Sequence, residues 1–224
     1  MDKIRYDSMN SSSKNKVDII ILARGGSKGI PRKNVLPFLG VPLVELSIRQ
    51  ALNSKLVRNV YLSSDNKEIL STADSFKEVI QVKRPDYLAT DDARSEDAVI
   101  HWLNNSLISD LPDIVIMLEP TAPLRKPNDI DNSIKAFIDQ GVDSLFSGAF
   151  LDDFLIWKRN NENKLISVNY DYKVQGPRQM RKPDIVENGA LYLFTPQCIL
   201  QNSTRFGGKI GHYQNDFWQS FEID

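Results

Sequence analysis

The sequence predicts a three-layer α/β/α fold built on a mostly parallel sheet. Two observations carry that expectation. Continuous apolar, β-branched runs recur along the chain, as strands buried on both faces require. Segments of helical periodicity alternate with them across short connections, which is the rhythm of βαβ units.

The elements follow in order. "VDIIILA" (17–23) is the first buried strand, and after a glycine-rich loop "PLVELSIRQALNS" (42–54) sets Leu43, Leu46, Ile48, Ala51 and Leu52 at roughly helical spacing. "NVYLSSD" (59–65) reads as a strand, 67–73 as a helix, "VIQV" (79–82) as a short strand, "SEDAVIHWLNNSL" (95–107) as a helix and "DIVIML" (113–118) as a buried strand. "PNDIDNSIKAFIDQG" (127–141) opens on Pro and closes on Gly, the matched start and stop of a helix, and "DSLFSG" (143–148) follows as a strand. The rhythm then breaks. Residues 149–187 read as an irregular excursion with a β-hairpin around "NNEN" and with Phe154 and Trp157 exposed as a partner surface, before "NGALYLF" (188–194) returns to the buried-strand pattern.

The 224 residues, 41% hydrophobic and 25% charged, suit one domain over 17–224. "MDKIRYDSMNSSSKNK" (1–16) is polar and Ser/Asn/Lys-rich, which predicts a flexible tail. A formal net charge of -1 leaves no global footprint for nucleic acid or an anionic membrane. No run approaches the roughly 20 apolar residues that span a bilayer. Cys198 is the single cysteine, and no signal peptide is visible, so the expected location is the reducing cytoplasm.

The loop "ARGGSKGIPRKN" (23–34) carries the first chemistry. It fits neither the NTPase nor the dinucleotide glycine fingerprint. Gly25, Gly26 and Gly29 let backbone N–H groups approach an anion, and Arg24, Lys28, Arg32 and Lys33 surround them at the carboxyl end of a strand, where ligands of open α/β sheets bind. That combination suits a polyphosphate. The competing reading is a solvated loop with incidental charges.

"ILARGGSKGIPRKN" resembles the nucleotide-binding signature of the acylneuraminate cytidylyltransferases, or CMP-sialic acid synthetases. "KRPDYLATDDARS" (83–95), "LEPTAPLR" (118–125), "GPRQ" with "ENGALYLF" (176–194) and "SFEID" (220–224) follow in the family's order, so the resemblance covers 17–224. It implies a Rossmann-like nucleotidyltransferase fold with a small dimerisation excursion at 149–187, and a homodimer. It also implies a reaction: CTP activates a nine-carbon α-keto acid sugar (sialic, legionaminic, pseudaminic or related), giving CMP-sugar and pyrophosphate. An eight-carbon keto-deoxy-octulosonate cytidylyltransferase and an inactive nucleotide-binding homologue stay open as alternatives.

The same resemblance assigns residues. Arg24, Lys28 and Lys33 would stabilise charge on the reacting phosphates, with Ala23, Gly25, Gly26 and Ser27 lining the nucleotide's phosphates. Asn34, Arg84 and Ser95 would surround the cytosine and ribose. Glu119, where the family often has Gln, Thr121, Asn188 and Tyr192 would face the sugar, and Arg178 its carboxylate. Glu119 could instead end a strand or pair with Arg125, and Arg178 could pair with Asp171 or Asp184. Glu222 and Asp224, two apart in an extended strand, would share Mg2+ (or Mn2+) with the triphosphate. The family usually has Asp at both positions and a following helix, so a loosely held or shortened metal segment is expected. His101, His212 and Cys198 read as packing or surface residues, and Asp91 and Asp92 as a solvated pair, the first inside a family motif.

Overall fold

The computed structural model describes residues 15–104, 110–151, 154–174 and 183–224. The expected tail (all but 15 and 16), the end of the 95–107 helix and Arg178 lie outside the described residues.

The first strand, β1 (Val17–Leu22), is buried along its whole length. It lies in a seven-stranded sheet with β4 (Asn59–Ser64), β5 (Val79–Lys83), β6 (Ile114–Leu118), β7 (Ser144–Leu151), β10 (Asp184–Phe194) and β11 (Ile210–Gln214), in the order β11-β7-β10-β6-β1-β4-β5. β1 pairs in parallel with β4 and β6, and β4 with β5. β10 is antiparallel to both β6 and β7. All the other strands of this sheet therefore run one way. Two small antiparallel pairs stand apart: β2 (Pro37–Phe38) with β3 (Val41–Pro42), and β8 (Trp157–Arg159) with β9 (Leu165–Ser167).

Alternation along the strands makes the layers. Ile19 and Ile21 of β1, with Val60, Leu62, Ile116 and Leu118, face α1 (Leu43–Leu52), α2 (Lys67–Ser71) and α4 (Asp129–Gln140), whose Val44, Ile48, Ile69, Ile134 and Phe137 join that core. Ile20 and Leu22, with Val115 and Met117, face α3 (Ser95–Leu103) and α5 (Pro196–Asn202) through Val99, Trp102 and Ile199. Each fully buried Ile or Leu contributes on the order of 1.5–3 kcal/mol. The helix ends have local causes: the Asn66 side chain accepts from the N–H groups of Glu68 and Ile69, Thr195 caps α5 with Pro196 at its first turn, and Gly141 ends α4 at φ 55°.

The sequence reading is corrected at its second half. The excursion is shorter than 149–187, because β7 continues to Leu151 and β10 starts at Asp184. β10 is antiparallel because no helical segment lies in the described part of 154–174 to carry a parallel crossover. α5 and β11 were not foreseen. The reversal has a functional result: the amino end of β10 lies at the rim formed by the carboxyl ends of the other strands.

At the opposite rim the carboxylate of Asp18 is fully buried and takes both Nε and Nη2 of Arg58, at 2.9 and 2.7 Å. Arg58 also reaches Asp110 at 3.0 Å. Removing the guanidinium leaves a buried charge uncompensated. Arg58→Met is therefore expected to lower stability by about 3 kcal/mol in urea denaturation, and a loss within error of zero would show the pair to be dispensable.

Candidate functional site

A cleft of about 330 Å3 opens at the carboxyl ends of the parallel strands. Its floor and one wall come from the loop after β1: Arg24, Ser27, Lys33 and Asn34 line it. Arg84 and Ser95 line it from the segments after β5 and at the start of α3. Glu119, Thr121, Glu222 and Asp224 close the other side. Residues from four separated motifs thus share one cavity.

The glycine loop is shaped by close packing. The Gly25 N–H donates to Asp65 Oδ1 at 2.9 Å, and a Cβ on Gly25 would meet the Asn66 side chain at 2.8 Å. A Cβ on Gly29 would lie 3.2 Å from the backbone of Asp224, so the C-terminal residue rests on the loop. Arg32 takes the left-handed conformation, φ 59°, unusual for a residue with a side chain, and is held there by an ion pair to Glu68. The Gly25 N–H is therefore committed to the protein, and the phosphate-cradling role expected of it is not seen. Ala23 is fully buried and donates to Ser63 O, behind the cleft.

The cations are held by carboxylates from distant segments. Asp91 bridges Arg24 Nη1 at 3.0 Å and Lys28 Nζ at 2.6 Å. Those hydrogen bonds, first Lys28's and then Arg24's, hold the Asp91 carboxyl below its usual range. Lys33 Nζ bonds Asp224 Oδ1 at 2.8 Å; the lysine side chain is only 12% exposed, so its charge is fixed in place. Lys28, at 79% exposure, sits outside the cleft lining. Asp91 was the missed group, and its position in "ATDDA" carried no signal beyond the motif match.

Two buried polar groups face the same space. Asn34 donates to Arg24 O at 2.9 Å, while its Oδ1 has no hydrogen-bond partner among the described residues. Such a buried acceptor is open to a donor from water or from a ligand. Arg84, 5% exposed, donates to Ser63 Oγ at 3.1 Å and Ser63 O at 3.0 Å. Burial pushes its guanidinium down to about 10, with Arg24 adding to the shift and Asp65 opposing it, so the charge persists at neutral pH.

Across the cleft, burial pushes the Glu119 carboxyl up, against the pull of Arg205 and Arg125. Arg125 bonds the backbone oxygen of Glu119, not its carboxylate; the carboxylate lies 3.7 Å from Arg205. Thr121 O accepts from Ile223 N at 2.8 Å, which docks the terminal segment on the "EPTAPLR" loop. Glu222 is packed on Gly189, and its carboxyl is raised by burial and by the neighbouring Asp224 and Glu119.

Asn188 and Tyr192 do not line the cleft. The ladder is irregular between Glu187 and Tyr192 and Gly189 has φ 63°, which turns Asn188 inward. There its Oδ1 accepts from Ser147 Oγ and Ala190 N and its Nδ2 donates to Asn215. Asn188 holds the bulge, and its polar atoms are occupied. Tyr192 is buried beneath Arg205 and donates to Glu187.

A family profile described as Cytidylyltransferase matches residues 19–185. N-acylneuraminate cytidylyltransferase A of Danio rerio is 28% identical over 211 residues, 93% of this chain and 48% of that protein, so the chain spans about half that relative's length. Pseudaminic acid cytidylyltransferase of Campylobacter jejuni is 40% identical over 131 residues, 57% of this chain and 56% of that one. Among solved structures, a CMP:2-keto-3-deoxy-manno-octonic acid synthetase complexed with CTP superposes with a TM-score of 0.65 at 16% identity, covering 90% of each chain, which shows the shared fold.

Asp91 occupies the position between two cations that an anionic ligand would take. Asp91→Asn is expected to bind inorganic pyrophosphate several-fold more tightly in calorimetry, because the internal competitor is gone. Unchanged or weaker binding would mean that Asp91 organises the cations without competing for them.

Proposed function

We propose that this chain, which belongs to the cytidylyltransferase family, transfers CMP from CTP to the anomeric hydroxyl of a nine-carbon α-keto acid sugar and releases pyrophosphate. The observation that carries the reading is the one cleft in which Arg24 and Lys33, a buried Asn34 Oδ1 without a partner among the described residues, and a carboxylate pair meet. Arg24, Lys28 and Lys33 meet the triphosphate, whose oxygens replace those of Asp91 and Asp224. Charge grows on the leaving phosphates, and cations aimed at those oxygens stabilise it. Asn34 Oδ1 accepts from the nucleoside, beside Arg84 and Ser95. Glu119 and Thr121 face the sugar.

The carboxylate pair fits a divalent cation. No group of three or more His, Cys, Asp and Glu side chains able to hold a metal occurs among the described residues. Two carboxylates suffice for Mg2+ when substrate phosphates supply the remaining oxygens. Burial first, and then the nearby Asp224 and Glu119, push the Glu222 carboxyl up, and a cation held there would offset that. Mg2+, when bound, supplies neutralisation of the phosphate oxygens. The Lys33 ammonium then exchanges Asp224 for phosphate.

The 17–224 segment acts as one cytidylyltransferase domain, and a homodimer completes the reading. The hairpin β8–β9 and its flanks expose Phe154, Leu155, Trp157, Leu165 and Tyr172 at 43–57%. Side chains of this kind in one patch mark an interface; a monomeric mass in light scattering would rule it out. No helix among the described residues is long and apolar enough to cross a membrane. The buried, unpaired thiol of Cys198 suits a reducing compartment, which favours the cytoplasm.

Pyrophosphate release from CTP with a panel of acidic sugars tests the activity. Turnover is expected with at least one nine-carbon keto acid, and Lys33→Ala is expected to lower kcat by about two to three orders of magnitude with the fold intact. CTP binding with no turnover on any sugar would sink the enzyme reading. Asp224→Asn should raise the Mg2+ concentration needed for half-maximal rate; an unchanged titration would remove this carboxylate from the metal site.

A further inference from the structure

The strand β4 lies between β1 and β5 in the sheet, so its carboxyl end stands between the glycine loop that follows β1 and the Arg84 segment that follows β5. That end reads "SSD" (63–65), and none of its three residues lines the cleft. Ser63 and Ser64 are fully buried all the same. Buried polar groups need hydrogen-bond partners. Here the partners belong to the two motifs on either side.

On the β1 side, Ser63 O accepts from Ala23 N at 3.1 Å, and Asp65 Oδ1 accepts from Gly25 N at 2.9 Å. The Gly25 backbone is also walled by the side chain of Asn66, whose own N–H donates to Ser64 Oγ at 3.1 Å. On the β5 side, Ser64 O accepts from Arg84 N at 2.8 Å, while Ser63 Oγ and Ser63 O take Arg84 Nε and Nη2 at 3.1 and 3.0 Å. Ser63 O therefore holds both motifs at once. Asp65 adds the negative charge that supports the Arg84 guanidinium, against burial and against the like charge of Arg24.

A strand end that is buried, bonded on both sides and continued by the Asn66 cap of α2 fixes how far the loop cations stand from Arg84. That spacing has to match a triphosphate at one end and its nucleoside at the other. A misplacement of about 1 Å, even one caused far from the chemistry, can cost about a hundredfold in rate.

We propose that Ser63, Ser64 and Asp65 form the positioning bridge of the nucleotide site, with Asp65 setting Gly25, and through it the loop cations, relative to Arg84. The inference rests on the cytidylyltransferase reading and deepens it, because it names residues that touch no substrate and yet set the affinity for CTP. Loosening either side of the bridge weakens the same ligand.

The test measures CTP binding by calorimetry, with kcat and KM from pyrophosphate release. Asp65→Ala removes the acceptor for Gly25 N–H and should weaken CTP binding about tenfold, the order of a hydrogen bond to a charged group. KM for the acidic sugar should stay unchanged. Asp65→Asn keeps an acceptor at the same place and should bind CTP within about threefold of wild type. Ser63→Ala removes the partner of Arg84 Nε; combined with Asp65→Ala, its effect should fall short of the product of the single effects by about threefold or more, since both act through one strand end. A packing role alone would lower the urea midpoint and leave CTP affinity of the folded variants at the wild-type value. That result, an Asn variant as weak as the Ala variant, or single effects that simply multiply, would overturn the proposal. Should Asp65→Ala fail to fold, Asp65→Glu keeps the charge and displaces the acceptor, and wild-type CTP affinity in that variant would overturn the role of Asp65. A wild-type protein that does not bind CTP would instead defeat the underlying reading.

Discussion

The buried guanidinium of Arg125 is the tie on which the arrangement of the cleft depends. Its donors reach Ala190 O on β10, Glu119 O after β6, and Gln50 Oε1 and Ser47 Oγ on α1. No carboxylate among the described residues touches it, and burial pushes it down to about 10 despite the pull of Glu119, Asp129 and Glu222. A planar, permanently charged donor can serve this many carbonyls from one point where lysine cannot. The order it imposes propagates: the loop from Glu119 to Thr121 is set, Thr121 O receives Ile223 N, and Ile223 places Glu222 and Asp224 on either side. Asp224 then meets Lys33 and lies against Gly29, so the last residue of the chain meets the loop that follows its first strand.

Charge in and beside the cleft is organised by ion pairs. Arg24 and Lys28 share Asp91, and Lys33 has Asp224. The carboxylates of these pairs are 42% and 76% exposed, so the pairs are screened and weakly held. They keep the loop from repelling itself while remaining exchangeable for phosphate. Arg84 differs, since it is buried and bound to neutral oxygens. The cleft therefore joins one buried positive charge to others paired with exposed carboxylates, and Arg32, strained at positive φ, marks where the loop's backbone is bent to present them.

Local pattern revealed most of the first half of the fold. The strand from Val17, the helix ending at Gly141 and the glycine loop are written in contiguous residues, where periodicity and turn chemistry act. What stayed hidden is long-range. The direction of β10 depends on what the chain does over the preceding excursion, and α5 and β11 are short elements whose burial is decided by neighbours. Lys33 and Asp224 are 191 residues apart, and Arg205 and Glu96 are 109 apart; no spacing rule connects such pairs. Asn188 shows the converse, because a motif position said "polar and near the sugar" while a bulge and a positive-φ glycine turned the amide into the interior. Arg178 lies outside the described residues and stays an expectation from resemblance alone.

The reversed strand β10 has a consequence for how such a protein can diversify. The cleft residues from Leu22 to Ser95 lie on parallel strands and the segments after them, in the first half of the chain. The facing side comes from the later half, from Glu119, Pro120 and Thr121 after β6 and from Glu222 and Asp224, with Glu222 packed on Gly189 of β10, the strand that runs the other way. The two sides are inherited as separate stretches of gene. Substitutions in one stretch can therefore reshape one side of the cleft while the other side passes unchanged from ancestor to descendant.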